Sequence, residues 1–186
     1  MRVLDRVIAR IRRAVAFAAG RLGGLERRVS GLFLARGGLR RFAIRAIDNA
    51  ESDILASAYG LTTGSGTVEA LARAKGRGVD VRLIADKTPC GRNSGVPLRA
   101  DAGVPIWIDD QARIAHAKAM VIDEAVVLTG SYNWTSGAAA NSEDLNLISS
   151  PTVAVAYAAH WHNRLAVSVR FERREDWCRI SSAEAR

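Results

Sequence analysis

Apolar positions along this chain of 186 residues follow two rhythms that replace each other every ten residues or so. Val3, Leu4, Val7, Ile8 and Ile11 recur at helical spacing while Arg2, Arg6, Arg10, Arg12 and Arg13 fill the other face, which predicts a basic amphipathic helix. Gly20, Gly23 and Gly24 mark a break after it. From about residue 28 the pattern alternates between strand and helix: a strand from Val29 to Leu34, a helix from Leu39 to Asn49, and an apolar run from Ile54 to Tyr59. A Gly-rich loop from Thr62 to Thr67 leads into a helix from Val68 to Ala74, and Gly76 and Gly78 suit its end before a strand from Val79 to Ile84.

Residues 87 to 103 are polar and rich in Gly and Pro, which predicts a long loop of the kind that often carries function. Strands follow from Val104 to Ile108, from Ala115 to Ile122 and from Val126 to Gly130, the last two joined tightly at Asp123-Glu124-Ala125. A strand from Asp144 to Ile148, a helix from Thr152 to Leu165 and a loose charged tail from Arg170 complete the chain. The alternation predicts a layered α/β fold. The expected organisation is an N-terminal extension over 1–27, a domain over 28–169 and a tail over 170–186.

Residues two apart on a strand share a face, so His116 and Lys118 point together while Ala117, Ala119 and Val121 point away. Both faces of that strand are otherwise apolar, which makes it a covered central strand and makes its lysine costly unless an anion occupies the site. The end of the hairpin, Gly130-Ser131-Tyr132-Asn133, adds small and amide-bearing residues that can donate hydrogen bonds to a phosphoryl oxygen. Glu143 offers a carboxylate able to orient an imidazole. Asp109 and Asp110 are adjacent and would diverge on a strand, so they are read as a loop pair rather than metal ligands. His160 and His162 stand about 200° apart on a helix and cannot share a metal. No metal or other cofactor is expected.

The spacing His116-x-Lys118-x4-Asp123, followed after six residues by Gly130-Ser131-x-Asn133, resembles the signature of the phospholipase D superfamily. Asn141-Ser142-Glu143 resembles its nuclease branch. Ala46-Ile47-Asp48-Asn49-Ala50, the strand ending at Tyr59, Gly78-Val79-Asp80-Val81 and Gly103-Val104-Pro105-Ile106 are similar to stretches of the short bacterial endonucleases of that family. The likeness spans residues 29 to 165. It implies a mixed β-sheet between helical layers and an active site where two His-x-Lys motifs meet. This chain holds one such motif, so the resemblance implies a homodimer sharing one site.

The implied mechanism is metal-independent phosphodiester cleavage. His116 attacks phosphorus to give a phosphohistidine, a second His116 serves as acid and base, and Lys118 and Asn133 hold the phosphoryl oxygens. Ser131 and Glu143 support the network, Trp134 is the aromatic candidate for substrate contact, and Asp123 and Gly130 are structural parts of the motif.

Charge bears on the substrate. The formal net charge of +8 favours phosphate-rich partners, either nucleic acid or an anionic membrane surface. Three readings follow. The first is an endonuclease on DNA or RNA, favoured by the short chain, its charge and Asn141-Ser142-Glu143. The second is a phospholipase D on phosphatidyl lipids, which the basic amphipathic start would assist. The third is a nucleic-acid-binding module without activity. Cys90 and Cys178 are read as free thiols, because a chain this long builds a core without stapling. Residues 1–27 leave both a cytoplasmic and a periplasmic or secreted location open.

Overall fold

The computed structural model describes residues 29–32, 38–87, 96, 102–111 and 113–172, so the expected amphipathic helix, both cysteines and most of the tail lie outside the described residues. Among the described residues eight strands form one mixed sheet in the order β1-β7-β6-β5-β2-β3-β4-β8. They are β1 (Val29–Leu32), β2 (Asp53–Ala58), β3 (Asp80–Asp86), β4 (Ile106–Asp109), β5 (Lys118–Ile122), β6 (Val126–Thr129), β7 (Leu145–Ser149) and β8 (Val169–Arg170). The β2–β3 and β3–β4 pairs are parallel and the others antiparallel. Among the described residues three helices cover the sheet: α1 (Gly38–Asp48), α2 (Thr67–Gly76) and α3 (Pro151–Leu165). The expected α/β class with a mixed sheet between helical layers is what the chain adopts.

Alternation along the central strands decides which layer each side chain meets. Ile54, Ala56, Leu83, Met120, Ile122 and Leu128 face a core shared with Phe42, Ala43, Ala46 and Ile47 of α1 and Val68 and Leu71 of α2. Leu55, Ile84, Val121 and Val127 face the other way, against Ala154 and Trp161 of α3. The buried positions of α1 recur at steps of three and four residues, leaving Arg41 and Arg45 exposed. Asn49 Nδ2 donates to the Arg45 carbonyl at 2.7 Å and caps the helix end. Asp48 then takes both Nε and Nη2 of Arg73, joining α1 to α2. At the start of α3 the Ser150 hydroxyl accepts from Val153 N–H with Pro151 in the first turn, an N-cap arrangement. Trp161 Nε1 donates to the Ala56 carbonyl at 2.8 Å, so the helix is tied to the middle of β2 by its largest side chain.

The β5–β6 hairpin turns on two residues with positive φ, Asp123 (52°) and Glu124 (51°). Neither is glycine, and the left-handed region costs such residues about 1 kcal/mol or more. The Asp123 carboxylate offsets this by accepting from the backbone N–H groups of Glu51, Ser52 and Asp53 and from the Ser52 hydroxyl. The motif aspartate thus pins the hairpin to the entry of β2.

Three boundaries differ from the sequence pattern. β5 begins at Lys118, because residues 114 to 117 run as an irregular segment whose main link to β2 is Tyr59 N–H to the Ala117 carbonyl at 3.0 Å. Val169 and Arg170 form an edge strand on β4 where a loose tail was expected, with the Arg170 guanidinium 5.3 Å from the centre of the Trp107 ring. A 3-10 turn at Gly137–Ala140, too short to leave a periodicity, links β6 to β7.

Candidate active site

The C-terminal ends of parallel strands leave a crevice that loops can line, and here β2 and β3 end beside the segment entering β5. Asp86, the last residue of β3, is fully buried and its Oδ2 accepts from Ala115 N–H. Together with the Tyr59–Ala117 link, this holds the backbone on both sides of His116. His116 therefore stands exposed just ahead of the strand rather than on it, and Lys118 opens the strand opposite Ala58.

Lys118 is 6% exposed, on the face that carries Met120 and Ile122. Its Nζ donates to the His116 carbonyl at 2.9 Å and lies 4.9 Å from the centre of the Tyr59 ring. Burial pushes the ammonium below its ordinary range, and the nearby Glu143 carboxylate partly opposes that. The Tyr59 ring also meets the His116 imidazole edge to face, centroids 4.6 Å apart. Sequence reading noted Tyr59 only as the end of a strand; its place at the C-terminal end of a buried parallel strand is the signal that marks it.

The stretch after β6 is extended, so successive side chains alternate. Tyr132 and Trp134 turn inward and pack ring to ring at 5.8 Å, while Ser131 and Asn133 turn toward the crevice. Gly130 leaves room for the Asp144 backbone, which would collide with any side chain there. The Ser131 hydroxyl donates to Glu143 Oε2 and accepts from Asp144 N–H at 3.0 Å, while Asn141 Nδ2 donates to Glu143 Oε1 at 3.1 Å. Asn133 Oδ1 is buried without a partner against Gly60, where a Cβ would come within 3.3 Å of it and 2.8 Å of Thr135 Cγ2. The amide nitrogen is the end left to donate outward.

Two expected roles do not fit this arrangement. Trp134 is 0% exposed and its Nε1 donates to the Ser57 carbonyl at 3.3 Å, so the ring is core and has no face for substrate. Its neighbour Asn133 takes the outward position because the alternation allows only one of the two. Within one chain Glu143 is held by Ser131 and Asn141, and the described neighbour of the His116 ring is Tyr59. Asp109 is likewise no loop residue: it ends β4, is buried, and clamps Arg164 of α3 through two bonds of 2.6 and 2.7 Å.

Two adjoining cavities open on the α3 side of this crevice, sharing Ser57, Ala117 and His160 in their walls. One, about 310 Å³, is lined by His116 with Ile84, Ile114 and Arg164; the other, about 250 Å³, by Lys118 with Leu55, Val121 and Tyr157. Exposed His160 thus stands beside the crevice, while His162 lies on the outer surface of α3 against the edge of Trp161.

The chain is similar to known proteins over this same region. The family model described as "Cardiolipin synthase, PLD-like domain" matches residues 43–165. A "Phospholipase D" of Rickettsia felis is 35% identical over 144 residues, 76% of this chain and 72% of the relative. A "Mitochondrial cardiolipin hydrolase" of Xenopus tropicalis is 42% identical over 82 residues, 42% of this chain and 38% of that protein. Among solved structures, the phospholipase D family member Nuc from Salmonella typhimurium superposes with a TM-score of 0.72 at 30% identity, covering 78% of this chain and 98% of Nuc. A buried lysine and a histidine at one strand entrance, with the Gly-Ser-x-Asn turn beside them, sit within the matched residues, and the chain belongs to the phospholipase D superfamily of phosphodiesterases.

Proposed function

We propose that the chain is a metal-independent phospholipase D, cleaving the phosphodiester of phosphatidyl lipids to phosphatidic acid and an alcohol. The observation that carries the substrate class is the pair of cavities on the α3 side of the crevice beside His116, whose walls take Leu55, Ile84, Ile114, Ala117 and Val121 alongside the polar Asp109, His160 and Arg164. The apolar part of these walls can take an uncharged flank of a lipid diester, whereas a polynucleotide brings a charge with every nucleotide. The 35% identical relative supports the same reading.

A neutral ring nitrogen of His116 attacks phosphorus, the bond to the leaving alcohol breaks, and the alkoxide takes its proton from His116 of the partner subunit. That imidazole then removes a proton from water; the hydroxide attacks phosphorus, the P–N bond breaks, and phosphatidic acid leaves. Lys118 and the outward amide of Asn133 hold the non-bridging oxygens as charge builds. Glu143, held by Ser131 and Asn141, keeps a negative charge near Lys118 and favours its protonated form. One His-x-Lys per chain supports a two-fold dimer with a shared site.

Nucleic acid is the second reading, favoured by the net charge of +8 and the likeness to Nuc over nearly all of its length. One experiment separates them: the protein in excess chelator is given phosphatidylcholine vesicles, cardiolipin vesicles, plasmid DNA and RNA. Lipid hydrolysis without nucleic-acid cleavage is expected. Cleavage of DNA or RNA alone would replace the lipid reading, and activity that needs added magnesium would sink the phosphohistidine route. Mixing wild type with excess His116→Asn chains should lower activity as hybrids form; none should be lost if each chain works alone.

A further inference from the structure

Two of the reacting groups assigned above touch one side chain that has so far been given no role. The Tyr59 ring presents its face to the Lys118 ammonium, 4.9 Å from the centroid, and meets the His116 ring at 4.6 Å with the planes inclined by 61°. Within its own chain the imidazole has no hydrogen-bonded partner among the described residues, and the Glu143 of that chain is held by Ser131 and Asn141. An exposed histidine ahead of a strand would sample several rotamers unless something restrains it.

From this we infer that Tyr59 is the positioning residue of the site: its ring sets the orientation of the His116 imidazole and holds the Lys118 ammonium beside it. The arrangement is economical in degrees of freedom. Tyr59 follows directly on β2, its N–H is bonded to the Ala117 carbonyl, and its ring has only two torsions, so the backbone link and the ring contact fix the same pair of residues. The ring attracts the ammonium through its quadrupole without neutralising it, which leaves the charge free for a phosphoryl oxygen. A carboxylate in that position would pair with the lysine and compete with substrate. The contacts involve the ring and not the hydroxyl, so phenylalanine can replace tyrosine here and an aliphatic side chain cannot.

The inference rests on the phosphodiesterase reading for its catalytic meaning and on the ring contacts alone for its structural meaning, and the test separates the two. Full-length wild type, Tyr59→Phe and Tyr59→Leu are compared in turnover of bis(p-nitrophenyl) phosphate and in NMR of the three histidines, assigned by single substitutions. Displacing a nucleophile by about an ångström costs on the order of 100-fold. Tyr59→Leu should therefore lose between about 10-fold and 100-fold in kcat with little change in KM, and Tyr59→Phe should stay within about 3-fold of wild type. The His116 ring protons should carry a ring-current shift in wild type and Tyr59→Phe that vanishes in Tyr59→Leu. Should Tyr59→Leu fail to fold, Tyr59→Met takes its place. Unchanged kcat in a folded aliphatic variant overturns the inference, as does a Phe variant as defective as Leu. If wild type hydrolyses no diester at all, the phosphodiesterase reading fails, and the His116 shift alone then decides whether Tyr59 positions the ring.

Discussion

Replacing Lys118 by methionine should stabilise the folded protein and nearly abolish turnover. The ammonium is 6% exposed, and holding a cation so far from water costs several kcal/mol. Against that stand one charge-assisted hydrogen bond to the His116 carbonyl at 2.9 Å, contributing about 1.5–3 kcal/mol, and the Tyr59 ring at 4.9 Å, contributing about 0.5–2 kcal/mol. Methionine has a similar reach, adds no charge, and would lie on the face that already carries Met120, so repacking is slight. Removing the penalty and both compensations together leaves a net gain of about 1 kcal/mol. The sign can be checked by pH. Because burial lowers the folded-state value below 10.5, the penalty is full at neutral pH, shrinks as pH rises through that lowered value, and is gone above 10.5. Urea denaturation of both proteins at pH 7 and near pH 10.5 should show a higher midpoint for Lys118→Met at the lower pH, equal slopes, and a narrowing gap at the higher. Turnover should fall by about 100-fold to 1,000-fold, the usual scale for losing a preorganised donor at a developing anion. Inorganic phosphate should raise the melting temperature of wild type and not of the variant. A loss of 1 kcal/mol or more at pH 7 would falsify the argument, since it would make Lys118 a structural cation.

Gly60→Ala should impair catalysis more than folding, because the added Cβ would meet Thr135 Cγ2 at 2.8 Å and Asn133 Oδ1 at 3.3 Å and push the amide out of place. A fall in kcat of about 10-fold or more in a protein that still unfolds cooperatively is expected; wild-type kcat would show that Asn133 tolerates the shift. Asp123→Ala removes the acceptor for three backbone N–H groups and a hydroxyl, so its urea midpoint should drop by the equivalent of about 2–3 kcal/mol. The folded fraction should keep near-normal kcat, and a variant that is stable but inactive would move Asp123 from the scaffold into the chemistry.

Much of this protein was legible from one dimension. Layering follows from local rhythm: α1 shows its core face at steps of three and four, and the central strands are apolar on both sides because helices cover both. The pairing of His116 with Lys118, and of Ser131 with Asn133, was legible because all four lie within about one hairpin of each other. What the sequence could not decide depended on partners distant along the chain. Trp134 and Asn133 are neighbours, and only packing against Tyr132 and the Ser57 carbonyl settles which turns inward. Glu143 reads as a lone carboxylate in the sequence, and only the fold shows Ser131 and Asn141 holding it. Tyr59 is 57 positions from His116, and no periodicity records a ring placed by the end of one strand against the entrance of another. Local order is written in spacing; the crevice exists only where strands far apart in sequence end together, and there the tertiary fold chose which side chains meet.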